Sequence, residues 1–379
     1  MTKTHTDPGT ERFEDLRFSR MDEFASPGLV FYRERIAQNL DRMIEIAGAP
    51  DGLVPHIKTI KCPQVIKMMV ERGIRRFKCA TIAEAEIAAG EDAQSVLVAH
   101  QLVAPQPQRL LQLAASFPDT EFSTVVDDAD HIERLNDIVR PTGRTLRVYL
   151  DLDVGMARTG VPAKLADPVH RAIQDAACLE FAGFHVYDGH IRARDPKKRE
   201  KDVEKCYAAV LRLAERLHPE EIIAGGSGSF PVHARHPDRL LSPGTTVLSD
   251  WRTSREFPDL GMSPAAFVMT RVISRTGEDK LTLDLGHKAI ASENPPDSRA
   301  LFFGPNHDGA MLAEVAVHSE EHLTLRSPRA GAYKVGDTLF ALPFHICPTV
   351  ALHQEAIVVE DRRVVATWPI TARDRRIRY

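Results

Sequence analysis

The sequence predicts an α/β fold: a (β/α)8 TIM-type barrel followed by a second, C-terminal β-rich domain. Eight short apolar or β-branched runs cross about 230 residues, and amphipathic helical segments alternate with them. After residue 260 the texture changes to strands joined by hairpin turns. The length of 379 residues also exceeds what one ordinary core fills. These observations place the barrel over residues 28–258 and the β-rich domain over 259–379, with residues 10–27 joined to the latter. A doubly wound open sheet gives the same local signal and remains the alternative.

The elements follow in order. "GLVFY" (28–32) is the first strand, and "ERIAQNLDRMIEIAGA" after it carries Ile36, Leu40, Met43, Ile44 and Ala47 on one helical stripe. "LVPHIK", "RRFKCA", "SVLVAH", "EFSTVV", "LRVYLDLD", "LEFAGFHVY" and "EIIAGG" supply the remaining seven strands. Thr81 and Glu84 form a capping box at the start of "TIAEAEIAAG", and a long helix begins near residue 197. In the tail, "MTRVISRTGEDKLTLDLG", "RAGAYKVGDTLFALP" and "EAIVVEDRRVVATWPI" read as strands and hairpins.

Composition narrows the class of partner. Hydrophobic content of 43%, charged content of 27% and a net charge of -4 give no bias toward nucleic acid or a membrane surface, so small-molecule partners are expected. The polar N-terminus lacks the apolar core of a secretory signal, and no run of 18 apolar residues follows, which predicts a cytoplasmic protein. Five scattered cysteines, Cys62, Cys79, Cys178, Cys206 and Cys347, include no CxxC pair and argue against a disulfide framework.

In a parallel barrel, chemistry gathers at the carboxyl ends of the strands. Residues falling there are Lys58, Cys79, Thr81, His100, Asp127, Asp153, Arg158, His185, Tyr187, Asp188 and His190, together with the loop "GGSGSF" from Gly225 to Phe230. The glycines of that loop allow close backbone approach to an anion, with Ser227 and Ser229 as hydroxyl donors; a plain surface turn is the alternative. Strand alternation puts Val54, His56 and Lys58 on one inward face, whereas Lys61 lies beyond the strand beside Pro63. A lysine drawn into the barrel mouth loses solvation and can attack a carbonyl, although pairing with a carboxylate would make it structural. A lysine and a phosphate loop at one mouth suggest pyridoxal phosphate.

With these residues in place, the chain from 25 to 379 resembles the D-threonine aldolase and D-serine dehydratase family, pyridoxal-phosphate enzymes of the alanine racemase-like fold. "PHIKTIKCP" is similar to the family's PHxKTHK signature, whose first lysine carries the cofactor, here Lys58; Ile60 replaces the signature histidine. "KCATIAEAE", "LDVGMARTGV", "HVYDGH", "GGSGSF" and "SPGTTVLSD" also resemble family segments. They imply Arg158, Tyr187, Gly226, Ser227, Gly228, Ser229 and Thr246 as contacts of the cofactor or substrate. "LPFHICPTVALH" resembles the family's metal motif, implying His345 and Cys347 as ligands of a divalent ion (Mn, Mg or Zn) on an extended chain. "VHSEEHLTL" is similar too, with no role assigned to Glu320, Glu321 or His322.

The resemblance implies a homodimer acting on a small amino-acid substrate. It implies retro-aldol cleavage of a D-β-hydroxy-α-amino acid to glycine and an aldehyde, with Lys58, Arg158 and His190 as the catalytic set. A D-serine or D-threo-3-hydroxyaspartate type dehydratase, giving a 2-oxo acid and ammonia, uses the same parts. An amino-acid racemase and a cofactor carrier are more distant alternatives; the carrier would lack the β tail. Roles for His100, His185 and Asp188 stay open.

Overall fold

The structure, a computed structural model, describes residues 11–305 and 308–378. Residue 10, where the expected N-terminal connection begins, lies outside them. The described chain divides into two compact units. One holds residues 43–58, 63–244 and 374–378; the other holds residues 11–42, 59–62, 245–305 and 308–373.

The first unit is the barrel. Its strands Arg76–Cys79, Ser95–Val98, Glu121–Val126, Leu146–Asp153, Leu179–Val186, Glu221–Ala224 and Arg239–Leu241 pair in that order, all parallel, with helices between most of them. Residues 53–56 close the ring: Leu53 bridges Leu241 and His56 bridges Lys78, both parallel. Side-chain alternation on parallel strands lines the interior with Val54, Leu97, Val125, Tyr149, Ala182 and Ile223, the packed middle layer expected of such a barrel. At the amino ends of the strands, Glu221 accepts hydrogen bonds from Arg76 and from the Tyr149 hydroxyl, each at 2.6 Å, which seals that face.

Two expected strands differ from this arrangement. "GLVFY" is a strand, Gly28–Tyr32, but it belongs to the β unit, pairing antiparallel with Ala266–Ser274 and parallel with Glu355–Glu360. Its partners lie more than two hundred residues away, so its local pattern could not be told from a barrel strand followed by a helix. "LVPHIK" contributes only two isolated bridges before Ile57–Thr59 turn as a 3-10 helix. The eighth barrel member is the three-residue strand Arg239–Leu241, too short to register as a periodic run.

The second unit is mostly antiparallel, with strands in the order Glu314–His318, Leu323–Arg326, Lys280–Leu283, Ala266–Ser274, Gly28–Tyr32, Glu355–Glu360 and Arg363–Pro369; Ala300–Phe303 and Thr338–Pro343 join beside Ala266–Ser274. The expected hairpins around residues 266–283 and 355–369 are present, whereas "RAGAYKVGDTLFALP" holds a 3-10 turn, Ala330–Ala332, and the single strand Thr338–Pro343. Asp361 and Arg362 take positive φ (48° and 59°) in the tight turn of the second, as a two-residue hairpin loop requires. Phe13, Leu16 and Phe18 pack in one core with Phe340 and Leu342, so the N-terminal segment is part of this unit. Among the described residues no helix is long and apolar enough to cross a membrane.

Candidate active site

Lys58 stands half-buried on the 3-10 turn after the closing segment, not on a strand as expected. The turn is anchored from both sides: His56 N–H donates to Pro243 O at 2.7 Å, and Lys78 N–H donates to Pro55 O at 3.0 Å. One residue beyond Pro243, Gly244 N–H donates to Ser227 Oγ at 3.1 Å. A short hydrogen-bonded path thus connects the Lys58 turn to the glycine loop at the same end of the barrel.

That loop is close-packed. A Cβ on Gly226 would lie 2.9 Å from the Tyr187 ring, and one on Gly225 (φ +76°) would meet the His233 ring at 2.5 Å, so glycine is required at both positions. Ser229 was expected to face a phosphate, but its buried hydroxyl donates to Asp188 Oδ1 at 2.6 Å and accepts from Gly226 N–H at 3.0 Å. Asp188 also accepts from His233 Nε2 at 2.9 Å, and Arg239 bonds the other nitrogen of that ring at 3.0 Å. Asp188 and Ser229 therefore brace the loop from behind, while Ser227 is held by Gly244. Gly228 sits between the two serines.

Arg158 is exposed and stacks its guanidinium on the Tyr187 ring, 4.9 Å from the centroid. His190 is exposed and rests against Gly155, lining an open depression of about 520 Å³ with Arg192, Lys198, Lys205 and Cys206. Asp153 caps the loop containing Arg158, accepting from Gly155 N–H and Ala157 N–H. Asp127 accepts from Gly160 N–H and from Gln101, which also donates to Asp151. His100 is exposed beside the Gln101 carbonyl. Thr81 caps its helix by accepting from Glu84 N–H, the first half of the expected capping box, while the Glu84 carboxylate accepts from the N–H of Ala80, the residue before the cap. Cys79 is buried. Lys61 takes positive φ, and its carbonyl accepts from Ala372 N–H.

The sequence reading missed Lys78. It is buried in the Arg76–Cys79 strand, and its Nζ lies 3.4 Å from His185 Nε2 across the barrel interior. His185 Nδ1 meets Asp151 Oδ1 at 2.7 Å. Burial and the nearby charge of Lys58 push the Lys78 amine down to about 7, and burial together with Lys78 pushes His185 down. Burial would raise Asp151, but the charge and hydrogen bond of His185 outweigh it and hold the carboxyl below its usual range. The available signal was a lysine in a short strand between Phe77 and Cys79, both of which are buried with it.

In the β unit, His345 is the N-cap of the helix Ile346–Leu352, and Cys347 lies in that helix's first turn. The pair was expected on an extended chain; the chain turns helical between them, yet each side chain still shifts the titration of the other. Burial would raise the Cys347 thiol, but the hydrogen bond and charge of His345 bring it below its ordinary value. His345 rises through Cys347 and Glu293 despite burial. Glu293 Oε1 holds His345 Nδ1 at 2.6 Å, the outer bond that leaves Nε2 for a ligand role. Thr59, which follows Lys58 in the chain, places its hydroxyl 3.1 Å from Cys347 Sγ. Among the described residues no third His, Cys, Asp or Glu completes a metal cluster with this pair. A thiolate and an imidazole suit a borderline-soft ion, with water or substrate needed in the remaining positions. Thr246 is buried in the 3-10 turn Thr245–Val247 of the same unit.

Comparison with known proteins agrees with this construction. Residues 32–249 match the alanine racemase N-terminal domain model, and residues 265–359 match a serine dehydratase domain model. A D-threonine aldolase of Arthrobacter sp is 27% identical over 92% of this chain and 92% of its own. A 3-hydroxy-D-aspartate aldolase of Paracoccus denitrificans (strain Pd 1222) is 27% identical over 93% and 92%. Among solved structures, D-threonine aldolase from Filomicrobium marinum superposes with a TM-score of 0.82 at 26% identity, covering 93% of this chain and 96% of that one. D-threo-3-hydroxyaspartate dehydratase from Delftia sp. HT23 shares the fold, with a TM-score of 0.76 at 21% identity over 91% and 97%. The chain belongs to the alanine racemase N-terminal domain family and, within it, to the D-threonine aldolase and D-serine dehydratase group of enzymes.

Proposed function

We propose that this protein is a pyridoxal 5'-phosphate- and divalent-metal-dependent lyase that cleaves D-β-hydroxy-α-amino acids of the D-threonine type to glycine and an aldehyde. The observation that carries this function is Lys58, an amine on a firmly anchored turn, linked through Pro243 and Gly244 to a glycine loop in which a side chain has no room. Bound pyridoxal phosphate supplies a conjugated ring that stabilises negative charge at Cα.

The chain's own residues do the rest. Lys58 carries the cofactor; Gly226, Ser227 and Gly228 hold its phosphate through backbone N–H groups and a hydroxyl, with Ser229 fixing the loop from behind and Thr246 adding a second hydroxyl. Tyr187 and Arg158 form a stacked wall that orients the ring or the substrate carboxylate. His345 and Cys347 hold the divalent ion, which acts as a Lewis acid when bound. His190, or a water, accepts the proton of the β-hydroxyl. The enzyme works in the cytoplasm as a homodimer on a small amino-acid substrate, with neither nucleic acid nor membrane as partner; sedimentation at dimer mass checks the assembly.

The cysteine at position 347 favours a second function. A thiolate ligand suits zinc, and in a dehydratase Lys58 would take the α-proton while the ion held by His345 and Cys347 would aid departure of the β-hydroxyl. Incubation with D-threonine separates the two: glycine and acetaldehyde in equal amounts support the aldolase, and 2-oxobutanoate with ammonia overturns it.

A further inference from the structure

The sulfur of Cys347 touches two threonines, and each comes directly after a residue that builds the cofactor side of the site. Cys347 Sγ lies 3.1 Å from the Thr59 hydroxyl and 3.7 Å from the Thr245 hydroxyl. Thr59 is fully buried and ends the 3-10 turn Ile57–Thr59, whose middle residue is Lys58. Thr245 follows Gly244, whose N–H donates to Ser227 Oγ at 3.1 Å, and it opens the 3-10 turn that contains Thr246. The backbone that carries the sulfur is itself fixed. Asp250 Oδ2 accepts from Ile346 N–H at 3.1 Å, and Thr349 Oγ1 donates to His345 O at 3.0 Å.

We propose that Cys347 links ion binding to cofactor binding, so that a divalent ion at His345 and Cys347 and pyridoxal 5'-phosphate at Lys58 strengthen each other through the hydroxyls of Thr59 and Thr245. This linkage rests on the function proposed above. A thiol both donates and accepts, so without the ion either atom of each oxygen–sulfur contact is able to be the donor. When the ion binds, the S–H bond breaks, the proton goes to water and a sulfur–ion bond forms, which leaves a sulfur that only accepts. Both hydroxyls must then donate to it. Threonine is stiff at χ1, so an Oγ held in one direction also holds its Cβ and the backbone of its turn. The ion thereby favours the turn geometry from which Lys58 and Gly244 act, and a cofactor that holds the same geometry favours the ion in return. Thr59 and Thr245 are positioning residues.

The test uses the full chain stripped of both ligands. Binding of pyridoxal 5'-phosphate, read by absorbance, is measured with and without saturating zinc; zinc binding, read by competition with a chromogenic chelator, is measured with and without the cofactor. Each ligand is expected to tighten the other about tenfold, by the same factor in both directions. In the double variant Thr59→Val with Thr245→Val, which keeps the shape of both side chains, the factor is expected to fall to about one while both ligands still bind. Thr59→Ser with Thr245→Ser restores the hydroxyls and is expected to keep most of it. Independent binding in wild type, or a factor unchanged in the valine variant, overturns the proposal and leaves the proposed function standing. A serine variant that loses the factor as fully as the valine variant means packing only, and also overturns it. Wild type alone supplies a further readout: zinc without cofactor is expected to slow amide hydrogen exchange over residues 55–61 about tenfold, and unchanged exchange with zinc bound overturns the linkage. Wild type that binds no cofactor, or no zinc, sinks the function proposed above and the linkage with it.

Discussion

Lys78 and His185 show what a single residue discloses in sequence and what it withholds. Lys58 was singled out because a signature surrounds it. Lys78 was not, because a lysine in "RRFKCA" looks like any strand residue until the barrel folds its register inward. Its burial also makes a stability prediction. A lysine whose folded value lies below its unfolded one binds more protons unfolded than folded between about 7 and the ordinary lysine value of 10.5, so it contributes more favourably to stability as pH rises across that window. Lys78→Met is therefore expected to raise the apparent melting temperature by about 5 °C at pH 6.5, with the gain shrinking toward pH 10. A gain that is constant across pH, or absent, contradicts the burial account. At the metal pair, Glu293→Gln is expected to weaken zinc binding about tenfold by loosening His345, measured by competition with a chromogenic chelator.

At the scale of elements, local periodicity identified strands and helices well and their partners poorly. "GLVFY" was recognised as a strand but assigned to the wrong unit, because its neighbours at Phe267 and Ile357 are fixed by long-range pairing. "HICP" was read as extended, whereas His345 starts a helix. One irregularity positions the site: the register shifts between Val148 and Tyr149, where Gly183 takes φ +147°, and His185 comes to lie opposite Asp151. A Cβ on Gly183 would collide with the Glu221 carbonyl of the neighbouring strand. Gly183→Ala is expected to destabilise the barrel by about 3 kcal/mol in urea unfolding; a change within about 0.5 kcal/mol would show that the strand adapts freely.

For the whole molecule, the two-part architecture was legible from length, alternation and the change of texture after residue 260. The family was legible from segments spread along the chain. The proposed role of His345 and Cys347, by contrast, owes everything to resemblance, since a histidine and a cysteine two apart carry little signal alone. If that pair holds the ion, prolonged chelation should abolish cleavage of D-threonine, and a divalent ion should restore it; activity that survives chelation would point to a metal-free reaction. The central claim concerns one amine. Reduction of the cofactor-loaded protein with borohydride, followed by peptide mapping, is expected to leave a pyridoxyl group on Lys58 in the peptide containing "PHIKTIK". A label confined to Lys61, Lys78 or any other lysine, or no label, would contradict it.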